Sequence, residues 1–150
     1  MDSHDRHAVE TCAGHRLGLL LTSWQRLTSN LLEVSTDALW RSSKIVLAHD
    51  TSDPPIFFYG NRAALTLFRM KTRDFLGLPS YRSAEEGHRA ERARMFAQLE
   101  AHDLVTDYRG VRIAADGTRF LIEDAVIWNL RDEDGRFHGQ AAAFDRITFL

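Results

Sequence analysis

Three long strand-like stretches in the second half of the chain constrain the fold more than any other feature. Residues 104–114, 118–130 and 137–147 are rich in β-branched and aromatic side chains. Asp-Gly pairs at residues 116–117 and 134–135 separate the three stretches. Because an Asp-Gly pair between apolar runs favours a tight hairpin turn, the pattern predicts a three-stranded antiparallel meander.

The first half combines helices with two short strands. Residues 17–31 carry apolar side chains at spacings of three and four, which predicts an amphipathic helix, and the polar cluster of Thr28, Ser29 and Asn30 predicts that the helix breaks there. A short helix at 36–42 and strands at 44–49 and 56–60 follow. Asn61 is expected to cap the next helix, contributing about 1 kcal/mol. Further helices are predicted at 73–76 and 84–102, so the fold class is α+β.

Charge and cysteine content exclude several classes of function. Nineteen basic and 21 acidic residues give a net charge of −2, so binding of nucleic acid by this chain alone is not expected. The single cysteine, Cys12, forms no internal disulfide, and the short Cys/His spacings of zinc sites are absent. Leu19–Leu21 is too short an apolar run for a membrane span, so we expect a cytoplasmic protein.

Several short motifs carry a family resemblance. Residues 56–64 and 75–77 are similar to the opening strand, Asn-capped helix and Leu-Gly of PAS domains, and 144–148 to their closing strand. The segments at 61–68, 78–80, 83–85, 91–94, 107–112, 126–129 and 139–142 resemble, in order and spacing, stand-alone bacterial MEKHLA domain proteins.

The resemblance implies a PAS-like five-stranded antiparallel sheet with helices on one face. Residues 1–43 would form an N-terminal helical extension, acting as a cap or in dimerisation, and residues 44–150 the MEKHLA domain itself. The implied role is sensory or interactive, with non-covalent binding of a small molecule or a protein partner. No kinase or DNA-binding module is attached, so a signal would leave through a separate output protein.

Polar residues on the long helix are the first candidates for a pocket. His88, Arg92 and Met95 lie on one predicted stripe that faces the sheet. A buried guanidinium needs a carboxylate or an anionic ligand to offset its lost hydration. The alternative to a ligand is a structural ion pair with Asp107, Glu123 or Asp124.

Tyr108, Arg112, Trp128 and Gln140 on the predicted strands could frame the same pocket or form ordinary cross-strand packing. Alternation along a strand places Tyr108 and Arg112 on one side. The same alternation groups Trp128 with Val126 and Ile122. Which side faces the helices does not follow from the pattern.

The cofactor is not defined by the sequence. Some PAS domains ligate haem through a histidine on the long helix, where His88 is placed. Flavin chemistry of the LOV type needs a cysteine near the core and a glutamine two residues before the final Asp. Here Cys12 lies outside the domain, Ala143 occupies that position, and Gln140 comes three residues too early.

An enzyme is the competing class of function. A small cone-shaped α+β fold could pair His88 with Asp107, Glu123 or Asp124 as acid and base. No nucleophile elbow, phosphate loop or metalloprotease motif supports catalysis, so we name no catalytic residue and no metal ligand.

The apolar stripe of the N-terminal helix allows two arrangements. It could cover the outer face of the sheet within one chain, or it could pair with its copy in a homodimer. Leu17, Leu20, Trp24, Leu27 and Leu31 together offer more apolar width than a short helix usually leaves exposed. We therefore expect the homodimer.

Overall fold

The computed structural model describes residues 2–84 and 89–150. Within them the helices are α1 Asp2–Ala13, α2 Arg16–Thr28, α3 Thr36–Arg41, α4 Arg62–Phe68, α5 Thr72–Phe75 and α6 Arg89–His102. The strands are β1 Ile45–His49, β2 Phe57–Gly60, β3 Leu104–Ile113, β4 Arg119–Arg131, β5 Phe137–Phe144 and β6 Arg146–Phe149. A short 3-10 turn at Ser80–Ser83 precedes α6.

The strands form one antiparallel sheet in the order β2-β1-β5-β4-β3. β6 pairs with β4 in the same register as β5, because Val126 lies opposite Ala143 and Glu123 opposite Arg146. β6 is therefore a continuation of β5 after a break at Asp145. The predicted α+β fold with a five-stranded antiparallel sheet is confirmed, and its last strand is interrupted once.

Two β-bulges decide which side chains share a face. The β3–β4 pairing shifts register on either side of Tyr108, where Asp107 and Asp124 have positive φ angles of 58° and 54°. A bulge adds one residue to a strand and so reverses its alternation. Ile122 consequently lies on the opposite face from Trp128, and the prediction that they share a side is wrong.

Helix α2 covers the face of the sheet that carries Trp128, which we call the outer face. Its Trp24 ring packs edge-on against Trp128, with centroids 4.9 Å apart, and Leu20 is fully buried. The Ser23 hydroxyl accepts a hydrogen bond from the Arg131 amide at 3.1 Å. The stripe is thus used within the chain.

That packing removes the reason for expecting the stripe to pair in a homodimer. Leu17, Leu20 and Trp24 are buried against the chain's own sheet. Leu31 is 59% exposed but lies beyond the end of α2, and its neighbour Leu32 is buried instead. The helix ends at Thr28, as the polar residues after it predict.

Helix α1 was not predicted. Residues 2–13 contain few apolar side chains, but Val9 and Ala13 are both fully buried, and α1 packs on β2 and α2. The Thr72 hydroxyl also donates to Asp5 at 2.7 Å, which ties α1 to α5. Burial of two small side chains gives a sequence pattern too weak to identify a helix without its tertiary partner.

The opposite, inner face of the sheet is covered by α4, α5 and α6. Phe75 of α5 stacks on Phe57 of β2 with centroids 4.6 Å apart, and Phe68 of α4 packs against Phe120 of β4. Helix α6 packs less extensively. Among its residues 90–102 only Leu99 is buried and Met95 half-buried, so space remains between α6 and the sheet.

Asn61 caps α4 as predicted, its side-chain oxygen accepting from the Ala64 amide at 3.1 Å. The same oxygen accepts from the Val46 amide at 3.2 Å. Its amide nitrogen donates to the carbonyls of Lys44 at 2.8 Å and Leu39 at 3.0 Å. Asn61 therefore joins α3, β1 and α4 and does more than cap a helix.

Candidate ligand cavity

A cavity of about 610 Å³ lies between the inner face of the sheet and the segments that carry α6, α4 and the 3-10 turn. Its size is that of a pocket for a small organic molecule. The walls are largely apolar, and they include Leu47, Phe57, Phe68, Met95, Ile122, Ala125, Ile127, Ala142 and Phe144. Exposed Tyr81, Phe96 and Phe137 lie at the solvent side of this lining.

One end of the cavity is polar through His49 of β1 and Gln140 of β5, and Asn129 of β4 continues this row beyond the lining. His49 lies opposite Gln140, and Gln140 lies opposite Asn129. The Gln140 amide donates to the Asn129 side-chain oxygen at 3.1 Å. Asn129 in turn donates to the Leu99 carbonyl at 3.0 Å and to the Asp103 carboxylate at 2.8 Å. The row links the cavity wall to the end of α6.

His49 is held neutral at this end. Burial lowers the pKa of its imidazole below the ordinary 6.5. Its Nδ1 lies 3.1 Å from the Asp50 backbone carbonyl, which can only accept a hydrogen bond, so Nδ1 carries the proton. The ring also forms a hydrogen bond with the Gln140 side chain, which lies opposite it on β5 and partly offsets the effect of burial.

The other polar group comes from β3. Tyr108 and Arg112 both line the cavity and share the inner face, and one Arg112 guanidinium nitrogen lies 3.5 Å from the Tyr108 hydroxyl. Gly110 between them allows this arrangement, because a Cβ there would lie 2.9 Å from that hydroxyl. The tyrosine ring therefore lies along the strand toward the arginine.

Five of the seven residues predicted for the pocket line this cavity: Arg92, Met95, Tyr108, Arg112 and Gln140. His88 lies outside the residues that the structure describes, so its place in the pocket stays a prediction. Arg92 is exposed, which makes the predicted buried guanidinium wrong at this position. The helix turns its long cationic side chain toward the solvent edge, where hydration is kept.

Trp128 does not line the cavity. It is fully buried on the outer face, where its indole nitrogen donates to the Leu20 carbonyl at 3.3 Å. The prediction that Trp128 forms a pocket wall is therefore wrong. Both faces of the sheet are apolar, and the sequence pattern alone gave no means to tell them apart.

The three acids considered as partners for the helix residues lie away from the cavity. Asp107 and Asp124 are exposed on their bulges, Asp124 pairing with Arg146. Glu123 lies 3.7 Å from the guanidinium of Arg109. The structural ion pair with Arg92 is therefore not supported, and the acid–base pair with His88 lies outside the described residues.

Sequence reasoning missed His49 and Asn129 as polar residues of the site. His49 follows a buried apolar strand and precedes a turn, a position that a pattern assigns equally to a surface residue. Asn129 lies within an apolar run of β4, and it is 4% exposed. A polar amide inside an apolar strand was the available signal, since buried polar groups need partners.

Acidification is expected to destabilise the fold through His49. The folded state resists protonation of this ring, whereas the unfolded chain binds the proton at an ordinary pKa near 6.5. The stability that neutral His49 gives the folded state is therefore fully present above pH 6.5 and is lost as the pH falls below that value. Urea denaturation from about pH 8 to about pH 5 measures the slope. In His49→Gln this slope is reduced.

His102→Gln is the matched control for that measurement, because His102 is exposed at the end of α6. It is expected to keep the wild-type slope. An unchanged slope in His49→Gln, or an equal loss in both variants, would assign the pH dependence to other groups.

Residues 2–84 and 89–150 contain neither a cluster of metal-ligating side chains nor a membrane-spanning helix. In that part of the chain no three His, Cys, Asp or Glu side chains come together as a metal site. In the same part no helix is both long enough and apolar enough to cross a bilayer. The chain's single cysteine, Cys12, is exposed on α1 and is not part of the cavity lining. The cavity therefore offers no thiol that could react with a flavin.

Comparison with known proteins bears on family and fold. The family model described as MEKHLA domain matches residues 15–149. A PAS domain from Colwellia psychrerythraea is 15% identical with a TM-score of 0.62, over 76% of this chain and 92% of that chain. The light-state dimer of the fungal photoreceptor Vivid is 14% identical with a TM-score of 0.64, over 87% and 93%.

A light-oxygen-voltage domain studied with a flavin analogue is 18% identical with a TM-score of 0.61, over 77% of this chain and 83% of that chain. At these identities the likeness shows the fold alone. No curated protein matches the sequence.

Proposed function

Because the chain belongs to the MEKHLA domain family and has the PAS-like fold, we propose that it is a sensory domain that binds a small molecule non-covalently in the inner-face cavity. The observation that carries the proposal is the cavity itself. It has the volume of a small-molecule pocket, apolar walls, and polar groups at two places.

The lining supports binding better than catalysis. Its walls offer apolar contact, and His49, Gln140, Tyr108 and Arg112 offer hydrogen bonds that would orient a guest. No carboxylate among the described lining residues faces His49 as a partner for acid–base chemistry, because the Asp50 carboxylate accepts from Ser52 and Ile56 in its own turn. The family match indicates no reaction.

Helix α6 is the element through which we propose that the domain responds. Its carboxyl end is fixed by Leu99 and by the Asn129 amide on the Leu99 carbonyl. Toward the amino end, Arg92, Met95 and Phe96 line the cavity with little other burial. A guest that contacts Met95 and Phe96 would add to this small packing area and shift the position or stability of α6.

The proposal is tested with N-phenyl-1-naphthylamine, a neutral apolar dye whose fluorescence rises in dry sites. The wild-type protein is expected to bind it. Ala142→Phe should reduce the affinity about tenfold or more, because a half-exposed inner-face alanine becomes a ring that occupies the cavity. Ala97→Phe is the control, since Ala97 is exposed on α6 outside the lining.

Equal dye binding by wild type, Ala142→Phe and Ala97→Phe would place the dye on the surface and contradict the proposal. Amide hydrogen exchange with and without dye tests the sensory part. Slower exchange in α6 on binding is the expected result, and unchanged exchange there would leave only a binding pocket.

The remaining roles stay predictions. A cytoplasmic location, a homodimer and a separate output protein are expectations from the sequence, and the apolar stripe of α2 no longer supports the homodimer because it is buried within the chain. So is the division into a helical extension of 1–43 and a domain of 44–150. Within that division, the burial of Leu20 and Trp24 against the sheet favours the cap role for the extension.

A further inference from the structure

The cavity carries an excess of positive charge among the residues that the structure describes. Its charged lining residues are Asp50, Arg92 and Arg112. Asp50 is already satisfied, because one carboxylate oxygen accepts from the amides of Ser52 and Ile56 at 3.0 Å each and the other from the Ser52 hydroxyl. No described carboxylate forms an ion pair with either arginine.

From this geometry we infer that the cavity selects a carboxylate carried on an apolar body, with the carboxylate bound by Arg112 and Tyr108. The inference rests on the proposed function and names its ligand class. A half-buried guanidinium loses hydration that an anion restores, and a carboxylate matches its fork of donors.

The donors at Arg112 are arranged for such an anion. One guanidinium nitrogen donates to the Val111 carbonyl at 3.2 Å and another to the Tyr108 hydroxyl oxygen at 3.5 Å. Arginine has five N–H donors, so others remain available. The Tyr108 oxygen accepts a hydrogen bond from Arg112, so the hydroxyl proton of Tyr108 is available to donate to the ligand's carboxylate. The pair therefore offers donors from two side chains.

Of the acids that the structure describes, the two nearest to Arg112 on β4 do not substitute for the ligand. Glu123 on the neighbouring strand pairs with Arg109, whose side chain is 67% exposed. Asp124 pairs with Arg146. Both acids thus have partners outside the cavity, so neither of them pairs with the Arg112 guanidinium.

The apolar walls specify the remainder of the ligand and limit its charge. Phe57, Ile122, Ile127 and Phe144 would pack against a hydrocarbon chain or ring. A singly charged carboxylate loses less hydration in such a site than a doubly charged phosphate. A small hydrophilic acid would leave these walls without contact.

The test compares two ligands that differ only in the head group. Dodecanoate is used below its critical micelle concentration and above its carboxylate pKa, and 1-dodecanol below its solubility limit. Each displaces N-phenyl-1-naphthylamine from the full chain. Dodecanoate is expected to bind about tenfold or more tightly than dodecanol, because charge-assisted hydrogen bonds exceed neutral ones. Arg112→Gln should remove this preference and leave dodecanol affinity unchanged.

Arg109→Gln is the matched control, because Arg109 lies on the same strand but is exposed outside the cavity lining. It should keep the preference. Tyr108→Phe should reduce the preference in part and provides a second variant if Arg112→Gln does not fold.

Two results would overturn the inference: equal displacement by dodecanoate and dodecanol, or equal loss of preference in Arg109→Gln and Arg112→Gln. In both cases dye binding in the cavity would still stand. Failure of the dye to bind the wild-type cavity would instead contradict the proposed function itself, so the two failures are distinguishable.

Discussion

Replacing Gly139 with alanine is expected to abolish the native sheet or to lower the free energy of unfolding by at least about 4 kcal/mol. Gly139 has a φ angle of 133°, which side-chain-bearing residues rarely adopt. A Cβ at this position would lie 2.1 Å from the His49 backbone oxygen. Because that oxygen belongs to β1, the chain must separate β5 from β1 to make room.

Gly135→Ala is the matched control, because Gly135 also has a positive φ, 81°, but a Cβ there meets nothing within 4 Å. Its strain alone should cost about 1 kcal/mol. Urea denaturation measures both variants, and amide chemical shifts of β1 and β5 report the pairing. Similar losses in the two variants would show that backbone strain, and not the approach of β1, decides the effect at Gly139.

Asn61→Ala is expected to lower the free energy of unfolding by about 3–5 kcal/mol, the second large effect. The side chain is fully buried and makes four hydrogen bonds to backbone groups of three elements. Alanine would leave the Val46 amide and the Lys44 carbonyl without these partners, and the Leu39 carbonyl would keep only its bond from the Ser42 amide at 3.4 Å. Each buried group left unsatisfied costs about 1–3 kcal/mol.

Two further variants separate the cap from the wider network. Ser35→Ala removes a cap bond of the same kind, from the Ala38 amide to an exposed serine on α3, and should cost about 1 kcal/mol. Asn61→Asp keeps a good cap but replaces the two amide N–H donors with a carboxylate oxygen. If urea denaturation gave Asn61→Asp the same free energy of unfolding as the wild type, Asn61 would act only as a helix cap, and the larger role would be contradicted.

Both positions affect the cavity through the strands that bound it. Gly139 precedes Gln140, which lies opposite His49 at one polar end. Asn61 fixes β1 against α4, which contributes Phe68 to the wall. We therefore expect any folded fraction of either variant to bind N-phenyl-1-naphthylamine less tightly than the wild type, with the same dye titration as the measurement.

Much of the site was accessible from alternation and turn chemistry. The Asp-Gly turns located the hairpins. Tyr108 and Arg112 were placed on one side correctly, because the register shift between Tyr108 and Gly110 comes from an extra residue on β4 and leaves the alternation of β3 intact. The grouping of Trp128 with Ile122 was wrong, because the bulge at Asp124 lies between them. An aspartate with positive φ leaves no clear trace in a sequence, so the reversal of faces could not be foreseen.

Periodicity and short motifs by themselves determined the α+β class, the antiparallel meander, the capped helix at Asn61 and the family, because these depend on local residue spacing. Tertiary structure alone decided that α2 covers the outer face, that α1 forms on β2, and that His49 and Asn129 join Gln140 at the cavity. Those outcomes depend on which apolar surface lies against which, and residues such as His49 and Asn129, 80 positions apart in the sequence, come to lie on either side of Gln140 only when the strands pair.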